Sequence, residues 1–490
     1  MRFLTVSFLA LLAASPALSQ TDEPGAEWRA MAQEELDARL NVERREGRAR
    51  NVILFIADGM NMSSVTAGRI YDGQDRGEGG EENRLSFEAM DASALIRTYT
   101  ANAQVPDSAA TASAMNTGVK IDIRAINVYQ GSDASVCAHG LYPVTLMEQA
   151  EARNMETGIV TTARLTHATP AAVFAHIPHR NWESDSDMPV EAVESGCVDI
   201  ARQLIEVEAG DGIDLAFGGG RGNFLPESEN GRRSDGRDLT AEWVARGGAY
   251  VSNAVELRSL DSDKNLLGLF ADSHMSYDAD RNDIEEPSLA EMTSIAIDRL
   301  SSNPDGYYLM VEAARVDHAH HATNAYRALD DIQAFSEAIA TALSMVDLDE
   351  TLVIVTADHG HVFTMAGYQP RNNPILGLVQ TPNASGEVDP TIAADGQSYT
   401  TLGYYTGQNP RRADSDEITS DAALHPDYRQ QSAVAMGSET HSGEDVPLYA
   451  SGPWAHLFGG TLEQHTIYHV MVHALGWTRD EDVSGETPSD

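Results

Sequence analysis

Val52-Ile53-Leu54-Phe55-Ile56-Ala57-Asp58 is an unbroken apolar run that stops on a carboxylate, with Gly59 directly after it. Two later stretches have the same form: Tyr307 to Val311 runs into Glu312, and Leu352 to Ala357 runs into Asp358-His359. Short apolar runs of this kind read as strands buried on both faces, as in parallel sheets, and such sheets bind ligands beyond the carboxyl ends of their strands. The three junctions together point to one anionic, histidine-bearing site assembled from segments about 250 to 300 residues apart.

Further apolar runs at 158–163 and 213–218 join 51–57, 307–312 and 352–357 as strands, and segments 143–153, 190–206, 287–302 and 328–345 carry helical spacing. This alternation predicts an α/β fold, a large and mainly parallel central sheet flanked by helices on both faces. Between His361 and His441 the composition shifts to Pro, Gly, Asn, Ser and Asp around Tyr399, Tyr404 and Tyr405, so roughly 365–438 reads as an insertion folded on top of the sheet. Glu27 to Arg48 is polar, with Trp28, Met31, Leu36 and Leu40 at helical spacing, and reads as a surface helix.

The chain has 490 residues, 42% hydrophobic and 22% charged, enough for one large core with an excursion. Residues 1–19 carry Arg2, an apolar run from Phe3 to Ala14 and the small-residue pattern Ala17-Leu18-Ser19, which reads as a signal peptide cut before Gln20. No later stretch is apolar and long enough to span a bilayer, so the expectation is a periplasmic or secreted protein without a membrane anchor. In such a compartment Cys137 and Cys197, the only cysteines, would form one disulfide; two buried thiols are the alternative, disfavoured because a free thiol is a liability there. The net charge of −42 argues against nucleic acid, as a polymer, or an anionic membrane as partner. A small anionic substrate remains compatible if metal ions reverse the sign locally.

Asp58 at a strand end could simply cap the next helix. Val311-Glu312 through His321 is harder to explain so plainly, because Glu312, Asp317, His318, His320 and His321 fall within ten positions. Asp317 and His321 are four apart, so on a helix they share a face and can hold one metal. In Asp358-His359-Gly360-His361, one histidine is a candidate ligand and the other would orient a ligand through its second ring nitrogen. His441 stands alone, and its spacing by itself reads as structural. Val105 to Ala114 contains Asp107-Ser108 followed by an alanine-rich stretch, a helix start that puts the Ser108 hydroxyl at a positive helix terminus. Ser108 as the N-cap is the plain reading, and a metal-activated nucleophile is compatible with it.

Asp58-Gly59-Met60, Pro106-Asp107-Ser108-Ala109, His167-Ala168-Thr169-Pro170-Ala171-Ala172 with Arg180 following, Val311 through His321, Thr356-Ala357-Asp358-His359 and Glu439 through Asp445 occur in an order that resembles the alkaline phosphatases. The resemblance runs from about 50 to 475. It implies two zinc ions and one magnesium ion per subunit. Asp317, His321 and His441 would hold one zinc; Asp58, Asp358 and His359 the other, which would also activate Ser108 as nucleophile. Asp58 would bridge to the third site with Thr169 and Glu312. Arg180 would clamp the phosphoryl oxygens through its planar fork, oriented by Asp107. Two metals about 4 Å apart can stabilise both the entering and the leaving oxygen of an in-line displacement.

With His167 and His318 the chain resembles the vertebrate and marine-bacterial branch of that family. Ala271 after Phe270 stands where this branch carries a glutamate for calcium, so no calcium site is expected. The resemblance further implies small phosphate monoesters as substrates, a crown-like insertion at 365–438, an N-terminal arm over 20–48, a catalytic domain over 49–483, a frayed tail at 484–490 and a homodimer. A phosphodiesterase or other hydrolase of the same superfamily is the alternative. A sulfatase is disfavoured because neither Cys137-Ala138-His139 nor Cys197-Val198-Asp199 fits the modifiable motif. A binding protein without catalysis would need a missing nucleophile or ligand, and none is missing.

Overall fold

The computed structural model describes residues 25–412 and 417–477, so the expected signal peptide and the expected tail lie outside the described residues. Helix α1, Ala26–Leu40, belongs to a small unit of its own. It ends before Arg48, where the helical pattern had been expected to stop, and it buries none of its residues.

Residues from Arg44 onward form the main unit, built on a ten-stranded sheet. Its strands are β1 Asn51–Ala57, β2 Ala92–Arg97, β3 Glu156–Arg164, β4 Leu215–Gly219, β5 Ala249–Val251, β6 Leu266–Leu269, β7 Tyr307–Ala313, β8 Thr351–Thr356, β9 Val446–Ser451 and β10 Thr461–Glu463. They lie in the order β10-β2-β9-β8-β1-β7-β3-β4-β6-β5. Only β9 runs against its neighbours, so the sheet is mostly parallel, as the strand pattern predicted. β1 sits in its middle, parallel to β7 on one side and to β8 on the other. Ile56 is level with Glu312 and with Thr356. That register carries all three strand ends to one height.

β1, β7 and β8 are buried almost throughout, which explains their unalternating apolar sequences. Two helix layers cover the sheet. One contains α2, Met62–Asp75, and its partners further along the chain; the other contains α3, Ser108–Thr117, packed on α4, Ala168–Phe174. The short helix α5, Arg315–His321, leads into the long α6, Ala325–Met345, which belongs to the first layer. Phe335 of α6 meets Phe55 of β1 edge to face, with ring centroids 5.9 Å apart. Truncating either ring to alanine is expected to cost about 3–5 kcal/mol.

One expected helix is divided. Segment 190–206 forms Val190–Glu194 and Ile200–Ile205, because Gly196 at φ 85° stops the first and the Asp199 side chain, accepting from the Arg202 amide, starts the second. Between them Cys197 is joined to Cys137 in the disulfide read from the sequence. The segment between His361 and His441 contains a three-stranded sheet of Phe363–Met365, Leu402–Gly407 and Ser432–Ala435, and a separate ribbon of Gln380–Pro382 with Val388–Pro390.

Candidate metal centre

The chain turns sharply as it leaves β1. Gly59 adopts φ 78°, and a Cβ there would lie 2.4 Å from the His361 ring, so only glycine fits. Its amide donates to Asp358 Oδ1 at 3.0 Å, tying the end of β1 to the end of β8. Asp58 does not cap α2; Asn61 does, accepting from the Ser64 amide. With the plain role taken by another residue, the buried Asp58 carboxylate points into the space between the three strand ends.

Asp317, His321 and His441 converge there together with His361. Asp317 Oδ1 lies 3.3 Å from His321 Nε2 and 3.4 Å from His441 Nε2, and those two nitrogens are 3.1 Å apart. Each ring is fixed from behind: His321 Nδ1 donates to the Glu439 carbonyl at 2.7 Å, and His441 Nδ1 to the Pro106 carbonyl at 2.9 Å. A carbonyl can only accept, so both rings carry their proton on Nδ1 and present a bare Nε2 lone pair inward, as metal-bound histidines do. His441 therefore belongs to the cluster, although its spacing alone read as structural.

His361, the other histidine of the segment Asp358-His359-Gly360-His361, is bonded on both sides. Its Nε2 meets Asp317 Oδ1 at 2.7 Å, and its Nδ1 meets the buried Glu439 carboxylate. Burial pulls its pKa down, but the bonds to Asp317 and Glu439 outweigh that and push it up to about 10. Nothing in the spacing of Glu439 signals this contact with a ring 78 residues away.

A second group forms around His359. Its Nε2 lies 3.3 Å from Asp58 Oδ1, 3.4 Å from Asp358 Oδ2 and 3.2 Å from Ser108 Oγ. Asp358 Oδ1 accepts from the Gly59 and His359 amides, which aims Oδ2 at the same space. Ser108 is the first residue of α3 rather than its cap. Asp107 is the cap, accepting from the Ala110 amide, so Ser108 Oγ is free of capping and donates towards the Asp58 carboxylate, 3.4 Å from both its oxygens.

A third group brings Asp58, Glu312 and His167 together. Glu312 Oε2 accepts from the Thr161 hydroxyl, whereas Glu312 Oε1 and the Thr169 hydroxyl oxygen are buried without a hydrogen-bond partner. Thr169, the second residue of α4, is completely buried. His167 Nε2 accepts from Arg180 Nη2 at 3.1 Å. His274, which no sequence signal singled out, completes a cluster with His167 and His318, its ring centroid 4.1 Å from that of His318.

Arg180 reaches the same pocket from the side. Its Nη1 donates to Asp107 Oδ2 at 3.1 Å. The pocket it lines has a volume of about 470 Å³, and Pro106, Arg124, Asn181, Thr440 and His441 share its wall.

The electrostatics define what is missing from a purely protein account. Burial first, then the charges of Asp358, Asp317 and Glu312, hold the Asp58 carboxyl well above the usual carboxylate range. Glu312 is pushed up to about 8 by burial, with the Thr161 and Thr169 hydroxyls opposing and Asp358 and Asp317 adding to the rise. Asp358 is raised by burial as well. Asp317 alone is held low, because His321, His361 and His441 outweigh its burial. Four buried carboxylates in one small volume cannot all ionise without added positive charge. Inward lone pairs, orphaned oxygens and crowded carboxyls all fit cations: imidazole-rich donors suit zinc, and the oxygen donors around Glu312 and Thr169 suit a harder ion such as magnesium.

Known proteins resemble the chain over nearly its full described length. A sequence profile of the alkaline phosphatases matches residues 49–477. The tissue-nonspecific alkaline phosphatase of Rattus norvegicus is 40% identical over 470 residues, covering 91% of this chain and 88% of that protein. The alkaline phosphatase of Gadus morhua is 40% identical over 469 residues, covering 91% of this chain and 96% of its own length. Among solved structures, the Thermus thermophilus alkaline phosphatase superposes with a TM-score of 0.65 at 26% identity, covering 90% of this chain and 94% of that one. With the strand ends, the sheet order and this similarity in agreement, the chain belongs to the alkaline phosphatase family.

Proposed function

We propose that this metal-dependent phosphate monoester hydrolase transfers the phosphoryl group of small organic monoesters to Ser108 and then to water. The observation that carries the reading is the position of Ser108 Oγ: free of capping, at the amino end of a ten-residue helix, and within hydrogen-bond reach of His359 Nε2 at 3.2 Å and of Asp58 at 3.4 Å. The ligand sets are Asp317, His321 and His441 for one zinc, Asp58, Asp358 and His359 for the second, and Asp58, Thr169 and Glu312 for magnesium. When bound, these ions lower the pKa of water and of the serine hydroxyl and neutralise charge on the transferred group.

The chain's own residues supply the rest. Asp107 and His167 hold the Arg180 guanidinium in one plane, so that it presents two parallel donors to two phosphoryl oxygens. The α3 amino terminus adds its partial positive charge behind Ser108. Ser108 Oγ loses its proton and bonds to phosphorus as the ester P–O bond breaks and the alcohol leaves protonated; water then opens the Ser108–phosphoryl bond from the opposite side, regenerating the hydroxyl and releasing orthophosphate.

Acid quenching during turnover, followed by mass spectrometry, tests this: phosphate is expected on Ser108, and quenched enzyme with no modified serine would overturn the reading. Arg180 favours a monoester over a diester, since a diester offers one fewer charged oxygen to clamp. A methyl diester hydrolysed as fast as its monoester would transfer the reading to a phosphodiesterase.

Export to the periplasm or the medium is supported by the pattern of residues 1–19 and by the disulfide. No helix of the described residues is long and apolar enough to cross a membrane. A homodimer, with 365–438 as its crown and 20–48 as its arm, is supported by the family.

A further inference from the structure

Arg124 lines the pocket that Arg180 enters, and nothing in the reaction described above uses it. Its backbone sits at φ 71°, in the left-handed region where side chains are strained. Four of the seven described non-glycine residues in that region are asparagines, the type that tolerates it; Arg124 is a long branched cation instead. Strain kept at the rim of an active site points to a use for the side chain.

The backbone there is held in place firmly. The Arg124 amide donates to both oxygens of Asp107, each at 3.1 Å, and the Arg124 carbonyl accepts from the Arg180 amide at 2.8 Å. Asp107 thus organises two arginines at once, the side chain of Arg180 and the main chain of Arg124. Their proximity is felt by His179, whose pKa is lowered first by partial burial and then by the charges of Arg124 and Arg180.

The guanidinium of Arg124 is exposed and has no carboxylate or carbonyl partner among the described residues. The chain carries 75 acidic and 33 basic side chains. Arg233, Arg237, Arg258, Arg327 and Arg411, for comparison, each lie against at least one carboxylate. A cation left unpaired on so acidic a protein, beside the phosphate clamp, has room for an anion that arrives with the substrate.

We infer that Arg124 is a second anion-binding group of this pocket, and that it favours phosphate monoesters whose leaving group carries a further carboxylate or phosphate. The inference rests on the monoesterase reading. The first phosphoryl group goes to Arg180 and Ser108, while the second anion stays on the leaving group and meets Arg124 at the mouth. No bond to Arg124 forms or breaks.

Two matched pairs test it and separate the two anions. Glycerol 3-phosphate against 3-phosphoglycerate exchanges a hydroxymethyl group for a carboxylate; propane-1,3-diol monophosphate against its bisphosphate exchanges a hydroxyl for a phosphate. The readout is the ratio of kcat/KM, anionic over neutral, at low ionic strength. Arg124→Gln and Arg124→Gly should lower that ratio about tenfold, a difference of about 1.4 kcal/mol. Arg124→Lys should restore most of it, and added salt should shrink the effect in the unaltered enzyme. A fall confined to one pair supports the subsite and names its anion. The glycine variant relieves the backbone strain, so a fall with glutamine but not with glycine would overturn the inference in favour of a backbone effect. An unchanged ratio in both pairs, with brisk phosphate release from glycerol 3-phosphate, would overturn the subsite alone; no release from any of the four would overturn the monoesterase reading with it.

Discussion

Two places in this protein gather carboxylates around a buried centre, and they settle the cost in opposite ways. Around Arg233, a fully buried guanidinium meets Asp199 at 2.9 Å and Asp235 at 2.5 Å, with Asp185 at 3.9 Å. Burial alone would lower the Arg233 pKa, yet the bonds to Asp199 and Asp235 raise it, and Asp235 is held low in return. That cluster carries its own cation. At the ends of β1, β7 and β8, Asp58, Glu312 and Asp358 are all pushed upward, and Glu312 Oε1 has no partner. The difference separates an ion network that balances its own charge from one whose carboxyls need added positive charge to ionise together.

Removing metal should therefore act on one cluster and not on the other. Chelation is expected to abolish turnover and to lower stability by about 4 kcal/mol if the ions are normally present near a thousand times their Kd, with both restored by zinc and magnesium. Thermal unfolding before and after dialysis against chelator checks it; an unshifted Tm would mean the carboxyls are satisfied without ions.

Ser108→Ala should cut kcat by on the order of 10⁴-fold or more while leaving metal content and Tm unchanged. Elemental analysis beside the kinetics distinguishes the lost nucleophile from a lost ligand. Arg233→Leu should do the reverse: stability falls by about 3–5 kcal/mol, because the buried Asp199 carboxylate loses its cation, while kcat per folded molecule is preserved. Denaturant midpoints and active-site titration measure the two effects, and a strong kcat loss in folded protein would join the clusters that the comparison holds apart.

The smallest expected effect concerns a buried acid that belongs to neither cluster. Glu151, whose side chain accepts from the Thr157 hydroxyl, is pushed up to about 8 chiefly by burial. Its folded pKa exceeds the ordinary value of about 4.3, so its contribution to stability is full below that value and is lost as pH rises through about 8. Glu151→Gln should flatten the fall of Tm between pH 5 and 9 by about 1–2 °C. Equal slopes in the two proteins would show that the carboxyl ionises without cost.

What the sequence disclosed follows from which forces act locally. The strands β1, β7 and β8 were legible because burial on both faces leaves an apolar run, and Asp317 with His321 because a helix repeats its face every four residues. The break at Gly196 inside 190–206 was missed, since apolar spacing continues across it and only a left-handed glycine interrupts the helix. His441 could not be placed by spacing, because strand pairing of His441 with His361, distant in sequence, brings it to Asp317. His274 had no local signal at all. Ser108 was placed one position off in role: Asp107 before it does the capping, and that is what leaves the hydroxyl available.

The register of the central strands has a consequence for how such a site can change over time. Ile56 sits level with Glu312 and Thr356, so Asp58 comes level with Asp358 and two residues beyond Glu312 only while all three strands keep their residue count. Side chains alternate across a sheet, so a single-residue insertion or deletion in β1 would send Asp58 to the opposite face rather than move it slightly. Divergence by length is closed to these strands. It remains open in the connections that bring in Arg124, Arg180 and His441, where selectivity can drift while the ion-holding frame stays fixed.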